Sequence, residues 1–269
     1  MMYPYEKKYD QVVKYETDGL IATITLDCPE NKNRITEQMV DELTQALNNA
    51  NWDNEVRVII LKGAGEWSFG PGDITVIQGK LAQNLREGRQ IMHLIGDMMK
   101  KIYTISKPII GVADAGCIGG GCNLLLSCDI VIASENAFFL EIFADYALSP
   151  DTGGMWALQR LIGPMKAKVM AMTAEPVGAK AALDMGLVYK VVPAGQTYEE
   201  AVILAKKIAA KSPVGINHIK QISNRLHDYS MDTYFQIEAD YLCIGALSED
   251  FRETNMAIAQ ERAPKYKGI

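Results

Sequence analysis

Three consecutive glycines stand where an apolar strand gives way to an apolar helix. Gly119, Gly120 and Gly121 follow a predicted strand at Pro108–Val112 and precede a predicted helix at Leu124–Cys128. Glycine has no Cβ, so the backbone can turn sharply here and a ligand can approach it closely. The first N–H groups of a helix have no partner within the helix, and the helix dipole makes that end locally positive. The segment therefore predicts backbone donors for a negatively charged oxygen.

A second glycine-bearing loop, Gly63–Ile74, also leaves an apolar strand. Two loops that each offer an N–H group can form an oxyanion hole, in which each fixed donor contributes on the order of 3 kcal/mol to the stabilisation of a developing enolate. A phosphate-binding turn of the dinucleotide type is an alternative, although Gly116-x-x-Gly119-Gly120-Gly121 does not match G-x-G-x-x-G. A third interpretation is a turn that needs glycine for packing alone.

A single carboxylate, Asp151, lies in the segment Ser149-Pro150-Asp151-Thr152-Gly153-Gly154. It can move a proton between two carbons if it faces an apolar pocket, where its charged form is disfavoured. It can instead cap a predicted helix at Thr152–Leu161, where backbone donors would favour the charged form. The three histidines form no pair with a nucleophile, and no cluster has the spacing of metal ligands, so that we expect no metal site.

Composition excludes several other classes of function. The net charge is −6 with no basic stripe, which argues against nucleic-acid binding. The sequence contains no run of about 18 apolar residues that would indicate a membrane span, and we expect no signal peptide. The five cysteines have no zinc-type spacing, and we interpret them as reduced thiols in a cytoplasmic protein.

The elements around these loops indicate an α/β core followed by helices. Strands are predicted at Leu20–Leu26, Val56–Leu61, Pro108–Val112 and Asp129–Ala133, and helices after Thr36 and at 80–104. Further helices are predicted at 153–162, 165–173, 178–185, 197–211, 214–228, 231–247 and 249–261. The expected organisation is a β/α core over residues 1–195 and a helical region over residues 196–269.

These motifs together resemble those of the crotonase superfamily, the enoyl-CoA hydratase/isomerase group. The resemblance rests on Gly63-Ala64-Gly65-Glu66, Phe69-x-x-Gly72, Lys107-Pro108, Gly119-Gly120-Gly121-Cys122-Asn123-Leu124, Ser149-Pro150-Asp151-Thr152-Gly153-Gly154 and the tail from Ser248, and it covers residues 10 to 268. It implies a ββα spiral core with a C-terminal trimerisation region, assembled as a homotrimer or a dimer of trimers. It also implies an acyl-CoA thioester as substrate and no cofactor other than the coenzyme A of that substrate.

The resemblance also assigns roles in the site. The thioester oxygen would lie between the N–H of Gly120 and that of the residue after Gly72, which is Asp73, or that of Gly72 itself under another alignment. A carboxylate at Asp73 would be unfavourable beside an oxyanion unless its side chain points away. Gly72, Gly119, Asn123, Glu141 and Phe143 are the expected substrate-binding residues.

The acids indicate the reaction type. A hydratase of this superfamily uses two glutamates, at the positions where this chain has Asn123 and Phe143, with Glu141 lying two residues away. The Pro-Asp-Thr-Gly-Gly loop resembles the phenylacetate-pathway isomerase branch, in which one aspartate moves a proton. We therefore predict double-bond isomerisation by Asp151. The alternatives are hydration, a non-catalytic acyl-CoA binder and an NAD-dependent oxidoreductase.

Overall fold

The computed structural model describes residues 9–73, 79 and 84–269, and its largest element is a six-stranded sheet. Its strands are β1 (Val13–Asp18), β2 (Ile21–Leu26), β3 (Val58–Gly63), β5 (Ile109–Ala113), β7 (Ile130–Ser134) and β10 (Lys190–Val192), which neighbour one another in that order. Strand β1 pairs antiparallel with β2, and the other neighbours are parallel. Parallel strands are covered on both faces, which is why β2, β3, β5 and β7 were recognisable as apolar runs.

A second sheet of four short strands stands beside the first. It contains β4 (Trp67–Phe69), β6 (Gly116–Ile118), β8 (Phe138–Leu140) and β9 (Val177–Gly178). Along the chain, β3, β5 and β7 of the first sheet are followed by β4, β6 and β8 of the second. This repetition of a long strand, a short strand and a helical segment confirms the predicted α/β class and its ββα spiral.

The helices follow the predicted pattern with two informative differences. They are α1 (Glu37–Trp52), α2 (Leu85–Thr104), α3 (Gly120–Leu126), α4 (Gly154–Thr173), α5 (Ala179–Met185), α6 (Thr197–Ala209), α7 (Pro213–Arg225), α8 (Met231–Leu247) and α9 (Glu249–Ala259). The hydroxyl of Thr36 caps α1 as predicted, accepting from the N–H of Met39 at 3.1 Å. Residues 80–83 of the helix predicted at 80–104 lie outside the described residues. None of the described helices is long and apolar enough to cross a membrane.

The first difference concerns the glycine run, and the second a break in α4. The helix predicted at Leu124–Cys128 begins earlier, at Gly120. Its first turn packs closely against the first loop: a Cβ on Gly121 would lie 2.2 Å from the carbonyl oxygen of Gly70, and only glycine allows that approach. The break predicted between residues 162 and 165 is a kink within α4 at Gly163, where φ is 77°, immediately before Pro164.

Two apolar layers cover the first sheet. One packs the sheet against α1, α2, α3 and α4, and the other packs it against Ala201, Ala205 and Ala209 of α6. Helix α7 is held by Lys220, whose buried ammonium donates to the carbonyl of Ile102 at 2.8 Å and that of Lys107 at 2.9 Å, and pairs with Asp129 at 2.8 Å. The packing of α6 on the sheet and the contacts of Lys220 join residues on either side of residue 195, and the proposed division of the chain at that point stays a prediction.

Candidate active site

A cleft of about 320 Å³ opens where the two glycine-bearing loops meet. Gly72 of the first loop and Gly119 and Gly120 of the second line it, together with Phe143 and Asp151. The two loops come together because β4 and β6 are neighbouring parallel strands, so that the chain leaves both at the same edge of the second sheet. The tertiary structure therefore brings together five of the eight residues predicted for the site.

A backbone donor and a carboxylate converge on the space in front of Gly120. A methyl group placed on Gly120 would lie 3.8 Å from the backbone nitrogen of Gly72 and 4.0 Å from Oδ1 of Asp151. Gly120 is the first residue of α3, so its own N–H has no partner within the helix. An oxygen held between Gly72 and Gly120 would therefore have Asp151 within reach of the carbons beside it.

The structure distinguishes the two candidate donors of the first loop. The N–H of Asp73 donates to the carbonyl of Ile35 at 3.3 Å, and the N–H of Ile35 donates to the carbonyl of Pro71 at 3.1 Å. The Asp73 carboxylate lies 3.8 Å from the guanidinium of Arg34. Because the Asp73 N–H takes part in backbone pairing, the geometry favours Gly72 over Asp73 as the donor.

Asp151 does not cap α4, contrary to one interpretation of the sequence. The cap position is occupied by Gly153, whose φ of 86° lies in the left-handed region, and the helix begins at Gly154. The backbone carbonyl of Asp151 accepts from the N–H of Gly154 at 2.8 Å, while its carboxylate accepts from the Thr152 hydroxyl at 3.1 Å. The chain thus turns through Thr152 and Gly153 before the helix begins, which leaves the Asp151 side chain in the cleft.

Burial controls the protonation of this carboxylate. It raises the pKa of Asp151 above its ordinary value of 3.8, and hydrogen bonds from Thr152 and from the backbone of Asp151 offset part of that rise. A carboxylate whose charged form is poorly solvated is a stronger base than one in water. This is the environment expected of a residue that takes up a proton in an apolar cleft.

Asn123 supports Asp151 from behind and does not line the described wall of the cleft. Its side chain is fully buried, and its amide donates to the carbonyl of Asp151 at 3.0 Å and to the hydroxyl of Thr152 at 3.3 Å. It cannot titrate, so it holds the loop without competing for the proton. Asn123 was expected to contact the substrate, but in the structure it contacts the Asp151 loop and does not line the cleft.

Glu141 does not line the described wall of the cleft, although its neighbour Ile142 does. Glu141 is fully buried, and within the described part of the chain neither carboxyl oxygen has a hydrogen-bond partner, although the weakly donating thiol of Cys122 lies beside it. Burial raises the pKa of Glu141 to about 8, the Cys122 thiol lowers it in part, and the charge of Asp151 raises it further. Glu141 is therefore neutral at pH 7 and closed off from the cleft.

The remaining chemistry of the cleft is simple. Met92 and Ile95 of α2, which the sequence did not single out as site residues, give it an apolar wall. No histidine lines its described wall, and the described residues contain no cluster able to hold a metal ion. A pyrophosphate would be repelled by Asp151, which argues against the dinucleotide alternative. One base and two backbone donors are what proton transfer next to a carbonyl requires.

Comparison with known proteins agrees with this geometry. Residues 16–268 match the family described as enoyl-CoA hydratase/isomerase. The chain is 32% identical over 248 residues to a short-chain-enoyl-CoA hydratase of Clostridium acetobutylicum, covering 92% of this chain and 94% of that protein. It is 29% identical over 251 residues to 1,2-epoxyphenylacetyl-CoA isomerase of Escherichia coli, covering 92% and 95%.

A solved structure gives the same result for the fold. The crystal structure of an enoyl-CoA hydratase from Bacillus anthracis matches with a TM-score of 0.90 at 28% identity, covering 96% of this chain and 100% of that one. The chain belongs to the enoyl-CoA hydratase/isomerase family, the crotonase superfamily.

Proposed function

We propose that this enzyme shifts a double bond in an enoyl-CoA thioester, with Asp151 as the carboxylate that carries the proton between the two carbons. The observation that carries the proposal is the convergence of Gly72, Gly120 and Asp151 on one space. No cofactor is proposed beyond the coenzyme A of the substrate.

The reaction needs one base used twice. The Asp151 carboxylate removes a proton from the carbon next to the thioester carbonyl of a 3-enoyl substrate. The electron pair of that C–H bond forms a double bond to the carbonyl carbon as the carbonyl π pair moves onto the oxygen, which gives a dienolate conjugated with the original double bond. The N–H groups of Gly72 and Gly120 hold that oxygen, each contributing on the order of 3 kcal/mol. Asp151 then returns the proton to the far carbon of the former double bond, which leaves a 2-enoyl thioester.

Hydration is the second candidate, because the relatives include a hydratase as well as an isomerase. Addition of water across a double bond requires one group to activate the water and another to protonate the carbon. The second carboxyl group that the sequence offered near the site, that of Glu141, is fully buried and does not line the cleft. This placement favours isomerisation.

The test compares Asp151→Asn with Asp145→Asn, a control at an exposed aspartate of the short 3-10 helix that precedes the Asp151 loop. We expect Asp151→Asn to lower kcat for 3-enoyl-CoA isomerisation by about 10²- to 10⁴-fold, the usual contribution of a general acid–base. Asp145→Asn should retain the wild-type rate. Hydration of a 2-enoyl-CoA at an unchanged rate in Asp151→Asn would overturn the isomerase mechanism, and no effect of Asp151→Asn on any enoyl-CoA would overturn the role of Asp151.

We also propose assembly into a homotrimer or a dimer of trimers. No residue of α8 is buried within the single chain, although its sequence is largely apolar. Its exposed large apolar side chains are Met231, Phe235, Leu242, Ile244 and Leu247. An exposed apolar surface of this extent is typical of an interface between subunits. Sedimentation equilibrium would give the subunit number, and a monomer at micromolar concentration would contradict the proposal.

A further inference from the structure

A second cavity, of about 500 Å³, lies next to the cleft. Thr152 lines both spaces. On one side of Thr152, Asp151 lines the cleft, and on the other side, Gly153 lines the second cavity. The loop that carries the proposed base therefore runs from one space into the next.

Helix α2 also contributes residues to both spaces. Met92 and Ile95 line the cleft, and Gly96, Met99 and Tyr103, further along the helix, line the second cavity. Because two separate segments of the chain extend from the cleft into the cavity, the two spaces are neighbours along both segments, and Thr152, the residue after Asp151, lies at their junction.

The second cavity has an aromatic pair in its lining, Tyr103 and Trp156, of which Trp156 is 38% exposed. The rings of Tyr103 and Trp156 meet edge to face, with centroids 4.6 Å apart and planes at 83°. Trp156 is held in place by Arg160, whose guanidinium stacks 3.4 Å from the ring centroid and pairs with Asp228 at 3.1 Å. Charged side chains that line the cavity, such as Lys100 and Arg225, are exposed and stand at its rim.

Gly96 makes room for this cavity at a cost to its own helix. A glycine inside a helix is less favourable than alanine, since it loses more backbone freedom on folding. A Cβ on Gly96 would have no heavy atom within 4 Å, so close packing does not require glycine at this position. The missing side chain instead leaves open the wall between Ile95 and Met99.

We propose that the cleft and the second cavity form one groove, which selects acyl-CoA thioesters whose acyl group extends beyond the reacting carbons as an apolar tail lying between Gly96 and the Tyr103–Trp156 pair. This inference rests on the proposed function, since it takes Asp151 as the position of the reacting carbons. Each methylene buried in such a groove raises affinity about fourfold. A tail several carbons long therefore yields a preference of about 10² or more over a short acyl group.

The test uses kcat/KM for 3-decenoyl-CoA and for 3-butenoyl-CoA, and the affinities of the unreactive decanoyl-CoA and butyryl-CoA by calorimetry. Gly96→Leu places a branched side chain in the groove, and leucine favours a helix, so the variant should fold. Gly96→Ala is the graded variant, and Asp97→Ala, at the exposed neighbouring residue of α2, is the control. We expect Gly96→Leu to lower the ratio of long-chain to short-chain kcat/KM about tenfold or more, Gly96→Ala to lower it less, and Asp97→Ala to leave it unchanged.

A second variant tests the other wall. Trp156→Ala removes the aromatic surface and should weaken decanoyl-CoA binding more than butyryl-CoA binding. Equal kcat/KM values for long and short substrates in the wild type, or a loss in Gly96→Leu that is the same for both, would overturn the groove. If no enoyl-CoA is turned over but decanoyl-CoA binds more tightly than butyryl-CoA and Gly96→Leu abolishes that difference, the groove is supported and the isomerase function falls.

Discussion

The buried carboxyl of Glu141 makes a quantitative prediction about stability and pH. Its ordinary pKa is 4.5, and burial raises it to about 8 in the folded protein. Between these two values the folded state keeps a proton that the unfolded state has released. Stability therefore falls as the pH rises, with a slope of up to about 1.4 kcal/mol per pH unit. The contribution is fully favourable below pH 4.5 and is lost progressively up to pH 8.

Glu141→Gln replaces this group with a neutral side chain of nearly the same shape. At pH 5 both folded proteins carry a neutral group at this position, and ionisation of Glu141 in the unfolded wild type contributes less than about 1 kcal/mol, so their free energies of unfolding should differ little. By pH 8 the full shift corresponds to about 5 kcal/mol, which is an upper limit because the surroundings relax around a buried charge. We expect Glu141→Gln to gain roughly 2 to 4 kcal/mol over the wild type between pH 5 and pH 8.

Urea unfolding at pH 5, 6, 7 and 8, at constant ionic strength and protein concentration, measures this difference. Glu66→Gln, at an exposed glutamate of the first glycine-bearing loop, is the matched control, and its difference from the wild type should not grow with pH. A difference for Glu141→Gln that stays constant across this range would mean that Glu141 is charged when folded, and the reasoning from its unpartnered burial would be wrong.

Three further substitutions follow from the packing. Gly120→Ala should fold, because the nearest atom to its Cβ is the flexible end of Ile35 at 3.2 Å. The methyl group would, however, occupy the oxyanion position and lower kcat for enoyl-CoA turnover by about 10²- to 10³-fold. A rate near that of the wild type would exclude Gly120 as a donor. Gly121→Ala should instead fail to fold, since its Cβ would lie 2.2 Å from the Gly70 carbonyl oxygen, and native-like circular dichroism would contradict this. Lys220→Met leaves Asp129 without its buried cation and should cost about 3 to 5 kcal/mol in urea unfolding, whereas a loss below about 1 kcal/mol would show that the pair is dispensable.

Much of the fold could be predicted from local pattern. The strands β2, β3, β5 and β7 are apolar runs because both faces of the sheet are covered, and α1 shows its cap and its apolar face directly. The strands of the second sheet could not be predicted in this way. Strands β4, β6 and β8 have three residues each, and β4 and β6 pair across more than 40 residues of sequence, so that no local periodicity marks them.

The candidate site, like the fold, could be predicted only in part from local sequence. The sequence by itself determined the family and the two glycine-bearing loops and singled out Asp151 as the candidate base, because these depend on residue types at fixed spacing. Only the tertiary structure decided that the Asp73 N–H is engaged by Ile35 and that Asn123 holds the Asp151 loop from behind. It also decided that Glu141 is closed off from the cleft. Hydrogen-bond partners and burial are set by contacts between segments that are distant in the chain, and the spacing of residues along the chain carries no record of them.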